Sequence, residues 1–93
     1  MSHLLVYTPS FVRAARRLTA RTPRLADDFK TSLELLALNP LDPSLRSHKL
    51  KGELREYWAC RAGYDLRIVF RLGLSNGQKA VFLQTVGTHD EVY

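Results

Sequence analysis

Residues Trp58 to Arg71 read WACRAGYDLRIVFR, and this stretch decides the fold. Apolar and polar side chains alternate on either side of Gly63–Tyr64–Asp65, which predicts a β-hairpin with a three-residue turn. Folded so, Trp58, Cys60, Ala62, Leu66, Ile68 and Phe70 share one apolar face. The other face sets Arg61 directly opposite Arg67, with Arg71 opposite Tyr57. Like charges opposed across two strands destabilise a sheet. Arginines in those places call for a reason beyond folding.

Working outward, HLLVYT (His3–Thr8) is a short β-branched and aromatic run that predicts a first strand. Thr8 followed by Pro9 is a helix start, and Phe11, Ala15 and Leu18 give the apolar stripe of a helix reaching about Ala20. The signal repeats at Thr22–Pro23. Leu25, Phe29, Leu33 and Leu36 make the second stripe, Asp27 and Asp28 suit its positive end, and Asn39–Pro40 ends it. The short link between the helices predicts an antiparallel helical hairpin. LDPSLRSHKLKGEL (41–54) reads as a loop, followed by strands over about Leu54–Ala62, Leu66–Leu72 and Lys79–Val86. Asn76–Gly77 is the strongest turn signal between the last two. The order β-α-α-β-β-β predicts an α+β fold: two N-terminal helices on one face of a small, mainly antiparallel sheet. At 93 residues, positions 1–93 are expected to form a single domain. The face bearing Tyr57, Arg61, Arg67 and Arg71 is expected to stay open.

Lys and Arg number 14 against 9 Asp and Glu, a formal net charge of +5. The excess is clustered. Met1 to Ala26 carries Arg13, Arg16, Arg17, Arg21 and Arg24 and no acidic residue; Arg46, His48, Lys49 and Lys51 form a second group, and the hairpin arginines a third. Such a balance suits a polyanionic partner: nucleic acid, an acidic protein or an anionic membrane surface. It is also found in small basic proteins that are merely soluble. Cys60 is the sole cysteine and reads as a small buried hydrophobe, consistent with a reducing compartment. With no signal peptide and no long apolar run, a cytoplasmic protein without a membrane association is expected.

The three histidines and one cysteine show no metal-ligand spacing, and there is no Gly-rich phosphate loop. Neither a metal nor a cofactor is therefore expected. What remains is a basic sheet face with titratable groups at its edges. His48 precedes the first hairpin strand, Asp65 lies in the turn and His89 follows the last strand. Imidazoles act as acid or base near neutral pH. Arginines hold a phosphate and stabilise charge developing on it. Together they make a kit for metal-free RNA cleavage, in which the ribose 2′-hydroxyl attacks the adjacent phosphate. Taken singly, each group has a structural role: His48 in a loop hydrogen bond, Asp65 in its turn, His89 at the sheet end, Arg61 and Arg67 as surface charges. The functional reading rests on their joint placement.

HKLKGELREYWACRAGYDLRIVFRL (48–72) followed by VFLQTVGTHDEVY (81–93) resembles the RelE/ParE superfamily of bacterial toxins, and within it the YafQ-like branch. The shared pattern is His-x-Leu-x-Gly, an aromatic-rich strand, an Asp-x-Arg second strand and a terminal Gly-Thr-His. The resemblance implies the toxin of a type II toxin–antitoxin system. It would be a ribosome-dependent endoribonuclease that cuts mRNA in the ribosomal A site and is neutralised in a complex with a cognate antitoxin. The family's catalytic positions fall on His48, Asp65 and His89, and its closing aromatic on Tyr93. His89 would be general acid to the leaving 5′-oxygen, with His48 or Asp65 the base or its positioner. Arg67, with Arg61, would hold the scissile phosphate. Lys49, Lys51, Arg71 and Tyr93 would contact RNA. Arg61 stands where many YafQ-like members have histidine, and Leu66 where they have tryptophan. An arginine stays protonated and is no base. Two other readings share the fold: a ParE-like toxin that binds DNA gyrase without nuclease chemistry, and an inactive relative that only binds RNA or protein.

Overall fold

The structure is a computed structural model and describes residues 3–92. Among these residues the chain runs β1 (Leu4–Tyr7), α1 (Pro9–Arg21), α2 (Ala26–Leu38), β2 (His48–Lys49), β3 (Trp58–Ala62), β4 (Leu66–Ser75), β5 (Gln78–Thr88) and α3 (His89–Val92). The strands form one sheet in the order β1-β5-β4-β3-β2, antiparallel except for the parallel β1–β5 pair. The expected α+β architecture is present.

The central strand β4 carries the core. Leu66, Ile68 and Phe70 are buried on it, joined by Cys60 and Ala62 of β3 and by Val81, Leu83 and Val86 of β5. Phe11, Ala14 and Leu18 of α1 and Phe29 and Leu36 of α2 close this face from above. Val86 and Leu83 are three residues apart yet both face the core. A bulge explains this: Val69 pairs with Thr85 but Phe70 pairs with Leu83, which leaves Gln84 as an extra residue in β5. Burial pushes the Cys60 thiol up to about 12, so it packs as an inert side chain.

Helix α1 starts as expected. The Thr8 hydroxyl accepts from the Phe11 N–H at 3.2 Å and donates to the Leu83 carbonyl at 2.7 Å, which ties the helix start to β5. Thr22 differs from its expected role as a second N-cap. Its backbone (φ −139°, ψ 77°) makes no side-chain cap bond, and a 3-10 turn over Pro23–Leu25 intervenes before α2. Between α1 and α2 an apolar groove of about 540 Å3 stays open, with Leu5 and Tyr7 of β1 among the residues lining it.

The strand expected over Leu54–Ala62 is shorter. Gly52, at φ +69°, opens a 3-10 turn, and the Tyr57 N–H donates to the Leu54 carbonyl, so ladder pairing begins only at Trp58. The segment read as pure loop instead supplies β2, where His48 pairs with Ala59 and Lys49 with Trp58. β4 and β5 run longer than expected, to a two-residue turn in which Asn76 (φ 52°) and Gly77 (φ 80°) are both left-handed.

The β3–β4 turn is seated on the helices. Gly63 has φ +74°, and a Cβ there would meet the Asp28 carboxylate of α2. Gly63→Ala is therefore expected to lose about 1–3 kcal/mol of stability in urea unfolding. A variant as stable as the parent would show that the turn is not pinned against α2.

Candidate active site

The predicted register holds from Trp58 on: Arg61 pairs with Arg67, Cys60 with Ile68 and Trp58 with Phe70, but the expected Tyr57–Arg71 pair is not formed, because the Tyr57 N–H turns back to the Leu54 carbonyl. Directly paired residues share a face, so the pairing maps the face away from the helices. One row reads Arg61, Arg67, Gly87 and the next His48, Ala59, Val69, Thr85. Further along, Arg71 lies opposite Phe82, its guanidinium 4.3 Å from the ring centroid. The face is less open than expected. Ala59 and Val69 are fully or nearly buried on it, while Arg61, Arg67 and Arg71 are half-buried. The long arginine stems lie beside small residues, as amphipathic side chains do when only their charged ends reach water.

Strand spacing and rise set the scale. The backbone of His48 lies about 8 Å from that of Arg61, and His89 follows the end of β5, two residues past the Gly87 that pairs with Arg67. The Arg67 guanidinium donates to the Leu66 carbonyl at 2.9 Å. Among the described residues, no carboxylate forms an ion pair with Arg61, Arg67 or Arg71. His48 Nδ1 lies 3.4 Å from the carbonyl of Arg46, and His89 Nδ1 lies 3.7 Å from the Asp90 carboxylate.

Two of the expected site residues stand elsewhere. Lys49 shares the opposite face with Trp58, its ammonium 5.7 Å from the ring, because alternation along β2 turns it away from His48. Asp65 ends the turn and borders a groove lined also by Leu18, Arg21, Arg24, Leu66 and Glu91. Lys51 is exposed in the coil after β2, and Tyr93 lies outside the described residues. Three or more His, Cys, Asp or Glu side chains do not gather as a metal site requires anywhere among the described residues. Nor does any described helix have the length and apolarity to cross a membrane.

His89 is the first residue of the short helix α3. Thr88-His89-Asp90-Glu91 is a capping box. The Thr88 N–H donates to the Glu91 carboxylate at 2.9 Å, and the Glu91 N–H to the Thr88 hydroxyl at 3.4 Å. A second Glu91 oxygen accepts from Arg21 of α1 at 3.2 Å. Glu91 and Val92 occupy the space a side chain at Gly87 would fill. The Ser/Thr-x-x-Glu spacing was the available signal. It was obscured by the brevity of the helix.

Residues 4–93 match the sequence model of YafQ, a bacterial toxin of type II toxin–antitoxin systems. The chain belongs to the YafQ toxin family. Solved structures agree in fold. YafQ from E. coli strain BL21(DE3) superposes with a TM-score of 0.76 at 18% identity, covering 99% of both chains. The YoeB/ParE toxin from Agrobacterium tumefaciens gives 0.73 at 22% identity, over 96% of this chain and 99% of that one. The E. coli DinJ–YafQ toxin–antitoxin complex gives 0.71 at 17% identity, over 100% and 99%. No curated protein matches the sequence.

Two outcomes follow from this geometry. Arg61→Gln removes a like-charge pair and is expected to raise stability by roughly 0.2–1 kcal/mol in urea unfolding. A loss would show that its stem's cover of Ala59 outweighs the repulsion. The Thr88 N–H, and after it Arg21, holds the Glu91 carboxyl below its ordinary pKa. A carboxyl lowered on folding contributes fully above its unfolded pKa and loses that contribution as pH falls through the folded value. Protection of the Thr88 amide in hydrogen exchange is therefore expected to hold from neutral pH to about 4.3 and to decline in more acid solution. Decline already at pH 6 would rule out Glu91 as its partner.

Proposed function

We propose that this YafQ-family toxin is a ribosome-dependent endoribonuclease that cuts translated mRNA in the A site. The observation that carries the reading is the Arg61–Arg67 couple, which forms no ion pair among the described residues, with His48 in the adjoining row of the same sheet face and His89 following the end of β5. In this scheme a phosphodiester sits on the two guanidiniums, which hold its oxygens and stabilise the charge that builds there. His48, on the Arg61 side, takes the proton from the ribose 2′-hydroxyl. The 2′-oxygen bonds to phosphorus as the bond from phosphorus to the 5′-oxygen breaks. His89, on the Arg67 side, gives that oxygen a proton. The products are a 2′,3′-cyclic phosphate and a 5′-hydroxyl, and the scheme uses no metal. A base must stand across the phosphate from the acid. Asp65, at the turn beside the end of β5, is less well placed for that role than His48. Arg71, Lys51 and Tyr93 contact flanking nucleotides.

The partner that silences the toxin is a cognate antitoxin, as DinJ is paired with YafQ in the E. coli complex. Its acidic side chains satisfy Arg61 and Arg67. The groove between α1 and α2, with Arg16 and Lys30 among its lining residues, suits an amphipathic acidic segment of the same partner. Both toxin and target would be cytoplasmic.

The test is inducible expression in bacteria with primer extension on a reporter mRNA. The parent is expected to give cuts within translated codons and growth arrest. His89→Ala should lose activity by about 10²–10⁴-fold while remaining folded, the usual contribution of a placed acid or base. A variant as toxic as the parent sinks the assignment. Growth arrest with intact mRNA and gyrase-linked DNA breaks would transfer the reading to a ParE-like target.

A further inference from the structure

We propose that Glu91 is a positioning residue, whose carboxylate clamps α3 between Thr88 and Arg21 and so fixes where His89 stands. The proposal rests on the reading of His89 as proton donor. Helix α3 has four residues, far too few to be stable by itself. Its position must come from contacts, and Glu91 makes three hydrogen bonds that tie it to Thr88 and Arg21. One carboxylate oxygen accepts from the Thr88 N–H at 2.9 Å and the other from Arg21 Nη2 at 3.2 Å. The Glu91 N–H returns to the Thr88 hydroxyl at 3.4 Å. The same side chain lies against Gly87, where no Cβ obstructs it.

These contacts join α3 to a rigid frame. Arg21 ends α1, whose Phe11, Ala14 and Leu18 are buried in the core. Thr88 ends β5, paired with Leu66 of the central strand. His89 lies between the two capping partners as the first residue of α3. An exposed ion pair contributes little when isolated. Here it shares one carboxylate with the cap, so loss of Glu91 removes both contacts and loss of Arg21 removes one.

The experiment uses the full chain in single-turnover cleavage on programmed ribosomes, with hydrogen exchange at Thr88 and NMR of the His89 ring on the same proteins. Glu91→Ala is expected to lower the cleavage rate constant roughly fivefold or more, the factor that loss of one cap of ordinary strength gives. The toxin concentration for half-saturation should not change. Glu91→Gln, which keeps the cap acceptor, should recover most of the rate. Arg21→Ala should cost about two- to fivefold, on the scale of an exposed pair, and nothing further when added to Glu91→Ala. Parent-like cleavage by Glu91→Ala would overturn the proposal. So would an Arg21→Ala effect that appears in half-saturation and persists in the Glu91→Ala background, since Arg21 would then be an RNA contact. If the parent does not cleave, the nuclease reading fails by itself. The clamp is then judged by exchange and NMR: faster Thr88 exchange and a shifted His89 ring in Glu91→Ala support it, and unchanged signals refute it.

Discussion

The antiparallel pairing of β4 with both its neighbours is the constraint on which this structure depends. Leu66, Ile68 and Phe70 are essentially inaccessible to water, and burying each such side chain contributes about 1.5–3 kcal/mol. Sliding either neighbour by one residue would turn that neighbour's own core side chains, such as Cys60 of β3 or Leu83 of β5, to solvent. The register is therefore fixed by the core. Once it is fixed, the residues between them have no freedom: Arg61 must face Arg67, and His48 must lie in the adjoining row.

That linkage makes the arginine face a by-product of core packing in its geometry, though not in its chemistry. Nothing in the folding of β3 and β4 asks for arginine at both positions, and opposed like charges work against the pairing. The core supports the repulsion because its burial exceeds it severalfold. The stems partly offset it by lying beside Ala59 and Val69. What is left is a pair of guanidiniums without ion-paired carboxylates among the described residues, a natural seat for an anion.

The two ends of the candidate site are built differently. His48 is placed by ladder hydrogen bonds of a two-residue strand whose register follows from β3. Helix α3, which His89 opens, is tied down by side chains: a threonine, a glutamate and an arginine from the far end of α1. The first device is backbone geometry and tolerates sequence change. The second depends on single side chains, and it couples the first helix to the end of the chain.

Much was legible in the sequence because its physics is local. Alternation over Trp58–Phe70 specified the hairpin, its register and the facing arginines. Thr8–Pro9 specified the start of α1, and Asn76–Gly77 the left-handed turn. Tertiary structure decided the rest. The bulge at Gln84 exists because Leu83 and Val86 must both reach one core, which no local pattern in β5 demands. Thr22 does not cap α2 because a 3-10 turn over Pro23–Leu25 separates them, so that Leu25 stands at the start of the helix. Strand β2 forms only because β3 offers a free edge, and its alternation sends Lys49 to the face opposite His48. The contact of Glu91 in α3 with Arg21 joins residues seventy apart in the chain. Sequence spacing reports the partners within reach of one turn or one strand; contacts between distant elements are set by how the buried faces meet.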